Sequence, residues 1–217
     1  MGAGLTVGRS IPIIAAGIVG LVGYYGPWVP HRASGLVVIG LDLAEYVKFL
    51  PKVGPNPAAV TRETFYLPLI AVSLGAVLLA SRRSLPRWLR CCLAAASVPV
   101  ALAMLPPAWS PAVLRLPDFR LQVMAIGVCL LAVPLIPLTR YLPDRLVLAL
   151  LVALALAAAI WPAWGFLQVL PTIGGLYGHT LRAGWGFWAN LAGFLGAAFF
   201  GCAEILRSRN SGINATI

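Results

Sequence analysis

Charged side chains are scarce in this sequence: of its 217 residues, only 10% are Asp, Glu, Lys or Arg, whereas 60% are hydrophobic. A soluble domain carries roughly 25% charged residues, because it needs them to cover its surface. The composition therefore excludes an ordinary water-soluble fold. We expect one membrane-embedded domain over residues 1–217, with membrane lipids as its main surroundings.

Acidic residues are especially few, six against 16 Lys and Arg, which gives a net charge of +10. Such a charge can indicate nucleic-acid binding when the cations share one polar face. Here most of the arginines lie at the ends of apolar runs, which is typical of the cytoplasmic ends of membrane spans. We therefore expect a multi-pass protein of the inner cell membrane and no nucleic-acid partner.

Recognisable catalytic motifs are also lacking: the sequence has no H-E-x-x-H, no G-x-S-x-G and no phosphate-binding loop. Proton relays and ion-coupled transport use ionisable residues inside spans, and the apolar runs carry them only near their ends. A haem or metal site would have to use His31 and His179, which do not stand at ligand spacing. We expect neither an enzyme nor a bound cofactor.

What the sequence does contain is a series of apolar runs long enough to cross a bilayer as helices, which needs about 20 residues. They predict an all-α fold, a polytopic transmembrane bundle with six spans. Pro162, Pro171 and Gly174–Gly175 interrupt the longest uncharged stretch, so 165–182 is expected to be an apolar loop folded back on the protein. The predicted spans are 11–29, 64–81, 88–105, 121–139, 146–164 and 183–203.

The segment 33–50 differs from these runs because Asp42, Glu45 and Lys48 recur in it at every third residue. A charge at the bilayer centre costs about 2.5–3.5 kcal/mol, which favours an amphipathic or partly inserted helix over a full span. The basic residues divide nine to seven between the two sides whether or not this segment crosses. The sequence alone therefore does not fix the side of the N-terminus.

Small residues recur every fourth position in the last run, a pattern that lets helix backbones approach closely. Ala16 and Gly20 form a smaller notch of this kind in the first run. These faces are expected to pack against each other within the chain or against another subunit. The face of the last run consists of Ala189, Gly193, Ala197 and Gly201.

Polar and aromatic residues at the predicted outer side are the candidates for contact with a partner or a ligand. They include the tryptophans of three Pro-Trp corners that end the first, third and fifth spans, and a loop in which glycines alternate with aromatics. For Asp42 and Glu45 the alternative is a solvated face with Lys48 compensating their charge. The candidates are Trp28, His31, Asp42, Glu45, Trp109, Trp164, His179, Arg182 and Trp185.

These features favour a non-catalytic subunit of a larger membrane complex, with other membrane subunits as partners. The alternative is a transporter component that binds an uncharged or apolar solute on the outer side, under the Pro-Trp corners. In number of spans and in length, the chain is similar to the substrate-binding membrane subunits of energy-coupling-factor vitamin transporters. That resemblance implies solute binding from the outer side.

Overall fold

The computed structural model describes residues 7–31, 37–49, 60–106 and 109–213, with side chains as far as Ser208. This part of the chain is mostly helical, which confirms the all-α fold class. A short antiparallel pair joins β1, Pro27–Val29, to β2, Val38–Ile39. The helices are α1 (Val7–Tyr25), α2 (Gly40–Tyr46), α3 (Leu67–Ala80), α4 (Arg87–Leu102), α5 (Arg120–Ala132), α6 (Ile136–Thr139), α7 (Asp144–Tyr177) and α8 (Trp185–Ile213).

Four helical stretches in the described ranges are long and apolar enough to cross a membrane, the character expected of a membrane protein. The second of them includes the 3₁₀ turn that leads into α3. With 16 and 13 residues, α4 and α5 are shorter than the about 20 residues of a typical span. The four stretches are Val7–Tyr25, Arg62–Ala80, Asp144–Tyr177 and Trp185–Ser208.

The prediction that a loop follows residue 164 is wrong, because α7 is a single helix of 34 residues that continues through Pro162 and Pro171 as far as Tyr177. Its second half is held by buried Phe166 and Ile173. In apolar surroundings a helix is the simplest way to satisfy backbone polar groups, so proline is tolerated there more readily than in water. The helix ends at Gly178, whose φ of +70° gives a left-handed cap.

The helix expected over 33–50 is shorter in the structure. Residues 32–36 and 50–59 lie outside the described part, β2 occupies Val38–Ile39, and α2 has only seven residues before a 3₁₀ turn over Val47–Phe49. Gly40 starts α2 against the Tyr24 ring, where a Cβ would lie 2.6 Å from Cδ2. Leu43 and Ala44 are fully buried, so the apolar side of α2 packs onto the larger helices.

Glycine contacts bring α1 and α8 together as an antiparallel pair. A Cβ on Gly193 would lie 2.2 Å from the backbone nitrogen of Gly20, and one on Gly23 would lie 2.2 Å from that of Asn190. Further along α8, a Cβ on Gly201 would lie 2.6 Å from a methyl of Val152 on α7. The small-residue face of α8 therefore packs against α1 and α7 of the same chain.

The other large helices pack side by side: α8 contacts α7, α7 contacts α3, α3 contacts α4, and α4 contacts α5. Two polar regions lie at opposite ends of the long helices. We call them the Glu45 end, which contains α2 and the starts of α3 and α5, and the Glu204 end. The Glu204 end contains the starts of α1 and α7 and the last turns of α8.

Buried Arg82 fastens helix termini at the Glu204 end. Its Nη1 donates to Oδ1 of Asp144 at 3.0 Å and to the Leu142 carbonyl at 2.9 Å, and its Nη2 donates to the Thr139 carbonyl. Carbonyls at helix ends lack partners within the helix. Arg82 supplies donors to them and thereby ties the segment after α3 to the segment before α7.

Candidate functional site

The most elaborate polar arrangement is at the Glu45 end and centres on Arg62, which is only 7% exposed. Its Nη2 donates to Oε1 of Glu45 and to Oε1 of Gln122, both at 2.6 Å. Its Nη1 donates to the Asp118 carbonyl at 3.3 Å, and the guanidinium lies 4.5 Å from the centre of the Phe119 ring. Arg62 therefore joins α2, the entry to α3 and the start of α5.

Tyr66 and Gln122 complete this arrangement, which we call the Arg62 network. The Tyr66 hydroxyl donates to Oε1 of Glu45 at 3.2 Å and accepts from Nε2 of Gln122 at 3.1 Å. Nε2 of Gln122 also donates to the carbonyl of Met104, just beyond α4. Because charge-assisted hydrogen bonds are the stronger ones, this buried network fixes how the ends of four helices meet.

Glu45 is the half-exposed member of the network, with 30% of its side chain accessible. Burial raises the pKa of Glu45, but the hydrogen bond from Lys48 and the charges of Arg62 and Lys48 outweigh it, so its pKa lies below the usual value. Lys48 pairs with Glu45 one helical turn away. Asp42 has a different role, since its Oδ2 accepts the Ile39 N–H at 3.1 Å before the first turn of α2.

An aromatic cluster lies beneath this end of the molecule. Trp28 is fully buried, and its Nε1 donates to the Gly23 carbonyl at 3.1 Å. Its ring meets those of Phe65, Phe166 and Phe187 edge-on, with centroids 6.4, 5.3 and 5.4 Å away. Trp28 thus joins four elements, and the space under the first Pro-Trp corner is filled by side chains.

The other sequence-derived candidates are not gathered around Glu45. Trp109, Trp164, Trp185 and Arg182 are exposed. The rings of His31 and His179 both lie near that of Tyr177, with centroid distances of 5.5 and 6.3 Å to it. Among the described residues, no three His, Cys, Asp or Glu side chains stand close enough to hold a metal ion.

Sequence reasoning missed three polar residues that join helices in the structure. Arg62 and Gln122 form the centre of the network, and Asn190 donates from Nδ2 to the Gly20 carbonyl at 3.0 Å across α1 and α8. For Gln122 and Asn190 the available signal was a lone amide in an apolar run, because a buried amide has to find a partner. Their partners are far away in sequence, so no local spacing reveals them.

An apolar crevice opens between α1 and α3, with α7 and α8 behind it. Its volume is about 120 Å³, and every residue that lines it is apolar or glycine. Gly17 and Gly75 widen it, since a Cβ on Gly17 would meet no atom within 4 Å. An apolar cavity of ~150 Å³ holds a benzene molecule, so this slightly smaller apolar crevice has room for a small apolar group.

Comparisons with protein-family models, with curated protein sequences and with solved structures gave no match. The Arg62 network and the apolar crevice are therefore the features from which a function can be inferred.

Proposed function

We propose that the chain crosses the inner membrane six times, with the Glu204 end in the cytoplasm. Each consecutive long helix returns towards the opposite end, and α5 with α6 covers Arg120–Thr139, about the length that a span needs. With seven residues, α2 is too short to cross. The N-terminus then lies on the same side as the arginine-rich turns Arg82–Arg90 and Arg140–Arg145. This side is assigned to the cytoplasm because basic residues are enriched in cytoplasmic loops.

In this membrane frame, we propose that the protein is a non-catalytic subunit of a larger membrane assembly. The observation that carries this proposal is that the buried ionisable side chains are engaged in ion pairs within the chain. Arg62, Arg82 and Glu204 each tie helix ends together through ion pairs. Groups committed in this way serve a scaffold, whereas catalysis and proton transfer need groups that stay available to a substrate.

The surface that we assign to a partner consists of the exposed side of α2 and the 3₁₀ turn after it, Val47–Phe49. Phe49 is 83% exposed in the 3₁₀ turn that follows α2, next in sequence to Lys48, which pairs with Glu45 of the Arg62 network. Aromatic residues on a rigid support are typical anchors of protein interfaces. Tyr141, in the turn before α7, is 79% exposed and provides a matched aromatic residue at the opposite end of the molecule.

Mild detergent extraction of the tagged chain tests this function. We expect one defined membrane protein to co-purify in fixed stoichiometry, Phe49→Ala to weaken the association and Tyr141→Ala to leave it unchanged. A monodisperse monomer with a transport activity of its own would overturn the proposal.

The apolar crevice favours a second candidate, a transporter component that binds an apolar solute. The site then lies between α1 and α3, because the first Pro-Trp corner is filled around Trp28. A bound solute should raise the Tm of the purified protein, and Gly17→Leu, which fills the crevice, should abolish that shift. Gly127→Leu is the matched control, since a Cβ there also meets no atom within 4 Å. If Gly17→Leu and Gly127→Leu lost the Tm shift equally, this candidate would be refuted.

A further inference from the structure

A second charged cluster, at the Glu204 end, differs from the Arg62 network in having unequal charges. Glu204 is buried, with 5% of its surface accessible. Its Oε2 lies 3.4 Å from Nε of Arg9, and its Oε1 lies 2.6 Å from Nη1 of Arg207. Two cations share one anion, so the cluster carries one unbalanced positive charge.

The two arginines keep hydrogen-bonding capacity for a further anion. Their side chains are 35% and 68% exposed, whereas the carboxylate between them is buried. A guanidinium carries five N–H donors in a planar fork that matches phosphate oxygens. The contacts with Glu204 are made by Nε of Arg9 and Nη1 of Arg207.

A pocket of about 270 Å³ adjoins the two arginines, between the start of α1 and the last turns of α8. Besides the charged groups, its walls are Pro12, Phe199 and Phe200, with Gly8 and Ala203. The site is therefore amphipathic: cationic on one side and apolar on the other. This part of the α1–α8 interface is built from large side chains, unlike the glycine contacts around Gly20 and Gly193.

We propose that this pocket binds an anionic phospholipid, with the phosphate between Arg9 and Arg207 and an acyl chain along Phe199 and Phe200. A phosphodiester carries the single negative charge that the cluster lacks. Basic pockets between membrane helices on the cytoplasmic side are known sites for anionic headgroups. A soluble anion would leave the aromatic wall unused, and a zwitterionic lipid would bring its own cation next to the arginines.

This inference rests on the membrane topology proposed above and is tested with the full-length protein in a non-ionic detergent. Native mass spectrometry and Tm are measured with phosphatidylglycerol, with phosphatidylcholine of the same acyl chains and with inorganic phosphate. We expect one phosphatidylglycerol to be retained per chain and to raise the Tm. Retention should fall about fivefold in Arg207→Gln and about 30-fold in Arg9→Gln/Arg207→Gln.

The matched control is Arg83→Gln/Arg87→Gln, which removes two exposed arginines from the same end of the molecule. It should leave retention unchanged. Gly8→Phe fills the pocket without altering charge, because a Cβ at Gly8 meets no atom within 4 Å. It should displace the lipid, whereas Gly127→Phe on α5 should not.

Three results would overturn the inference: equal retention of phosphatidylcholine, equal loss in the control arginine pair, or the same Tm shift with phosphate alone. If Arg9→Gln/Arg207→Gln does not fold, Gly8→Phe decides the question, since it leaves the ion pairs intact. A protein that stays soluble and monodisperse without detergent would instead refute the membrane topology, and the two failures are thus distinguishable.

Discussion

The two charged clusters of this protein are built in opposite ways. In the Arg62 network the buried residue is a cation, and its partners are a carboxylate, an amide oxygen and a backbone carbonyl. In the Glu204 cluster the buried residue is the anion, and the two cations around it are partly exposed. The Arg62 guanidinium is enclosed by protein, with its Nε buried and without a hydrogen-bond partner among the described residues, while the arginines of the Glu204 cluster present donors to their surroundings.

The difference shows which cluster stabilises the fold and which is available for binding. Removing a buried charge that several partners share leaves those partners desolvated and unpaired, which is costly. Removing a buried charge whose partners are exposed lets water replace it. We therefore expect the Arg62 network to have the larger effect on stability, although the Glu204 cluster also contains a buried ionisable group.

Arg62→Ala should have the largest effect. It leaves Glu45 and Gln122 without their common donor and loosens α2 from α5, so we expect a loss of about 3 kcal/mol in the free energy of unfolding. Thermal unfolding in detergent measures it. Arg115→Ala is the control, because Arg115 is exposed at the same end, and it should stay within about 0.5 kcal/mol of the parent protein.

Glu204→Gln should destabilise less, by about 1 kcal/mol, because Arg9 and Arg207 can be hydrated once the carboxylate is gone. The same thermal measurement compares the two variants directly. A loss as large as that of Arg62→Ala would contradict the distinction drawn between the clusters. It would mean that the Glu204 cluster is the main fastening of α1 to α8, in place of the glycine contacts.

Much of the helical framework could be predicted because it depends on local patterns. Runs of apolar residues mark the long helices, and the four-residue period of Gly193, Ala197 and Gly201 marks the face of α8 that packs closely against its neighbours. Lys48 stands three residues after Glu45, and the structure pairs them. A pattern within one segment is enough for each of these features.

What could not be predicted depends on pairs of distant residues or on a change of solvent. Arg62 meets Gln122 across 60 positions, and no spacing in the sequence indicates that contact. The prediction of a loop after residue 164 failed for another reason. The rule that proline ends a helix is derived mainly from helices in water, whereas α7 continues through Pro162 and Pro171. In hydrocarbon an unpaired backbone group is too costly for the chain to unwind.

The smallest expected effect is the pH dependence that Glu45 adds to the Arg62 network. The pKa of Glu45 is lowered in the folded protein, so the unfolded chain binds its proton more readily. The stabilisation is complete above the unfolded pKa of about 4.3 and is lost as the pH falls through the folded value. It should amount to less than about 1 kcal/mol, because Glu45 and Lys48 are each about one third exposed.

Unfolding measured from pH 6 down to pH 3 should therefore show a shallow acid-side loss that Glu45→Gln reduces. Asp42→Asn serves as the comparison, because Asp42 is exposed and accepts one backbone N–H instead of joining the network. If Asp42→Asn reduced the slope as much as Glu45→Gln, the acid sensitivity would not be specific to Glu45. The ion pairs of Glu45 with Arg62 and Lys48 would then contribute less to stability than the burial of the network indicates.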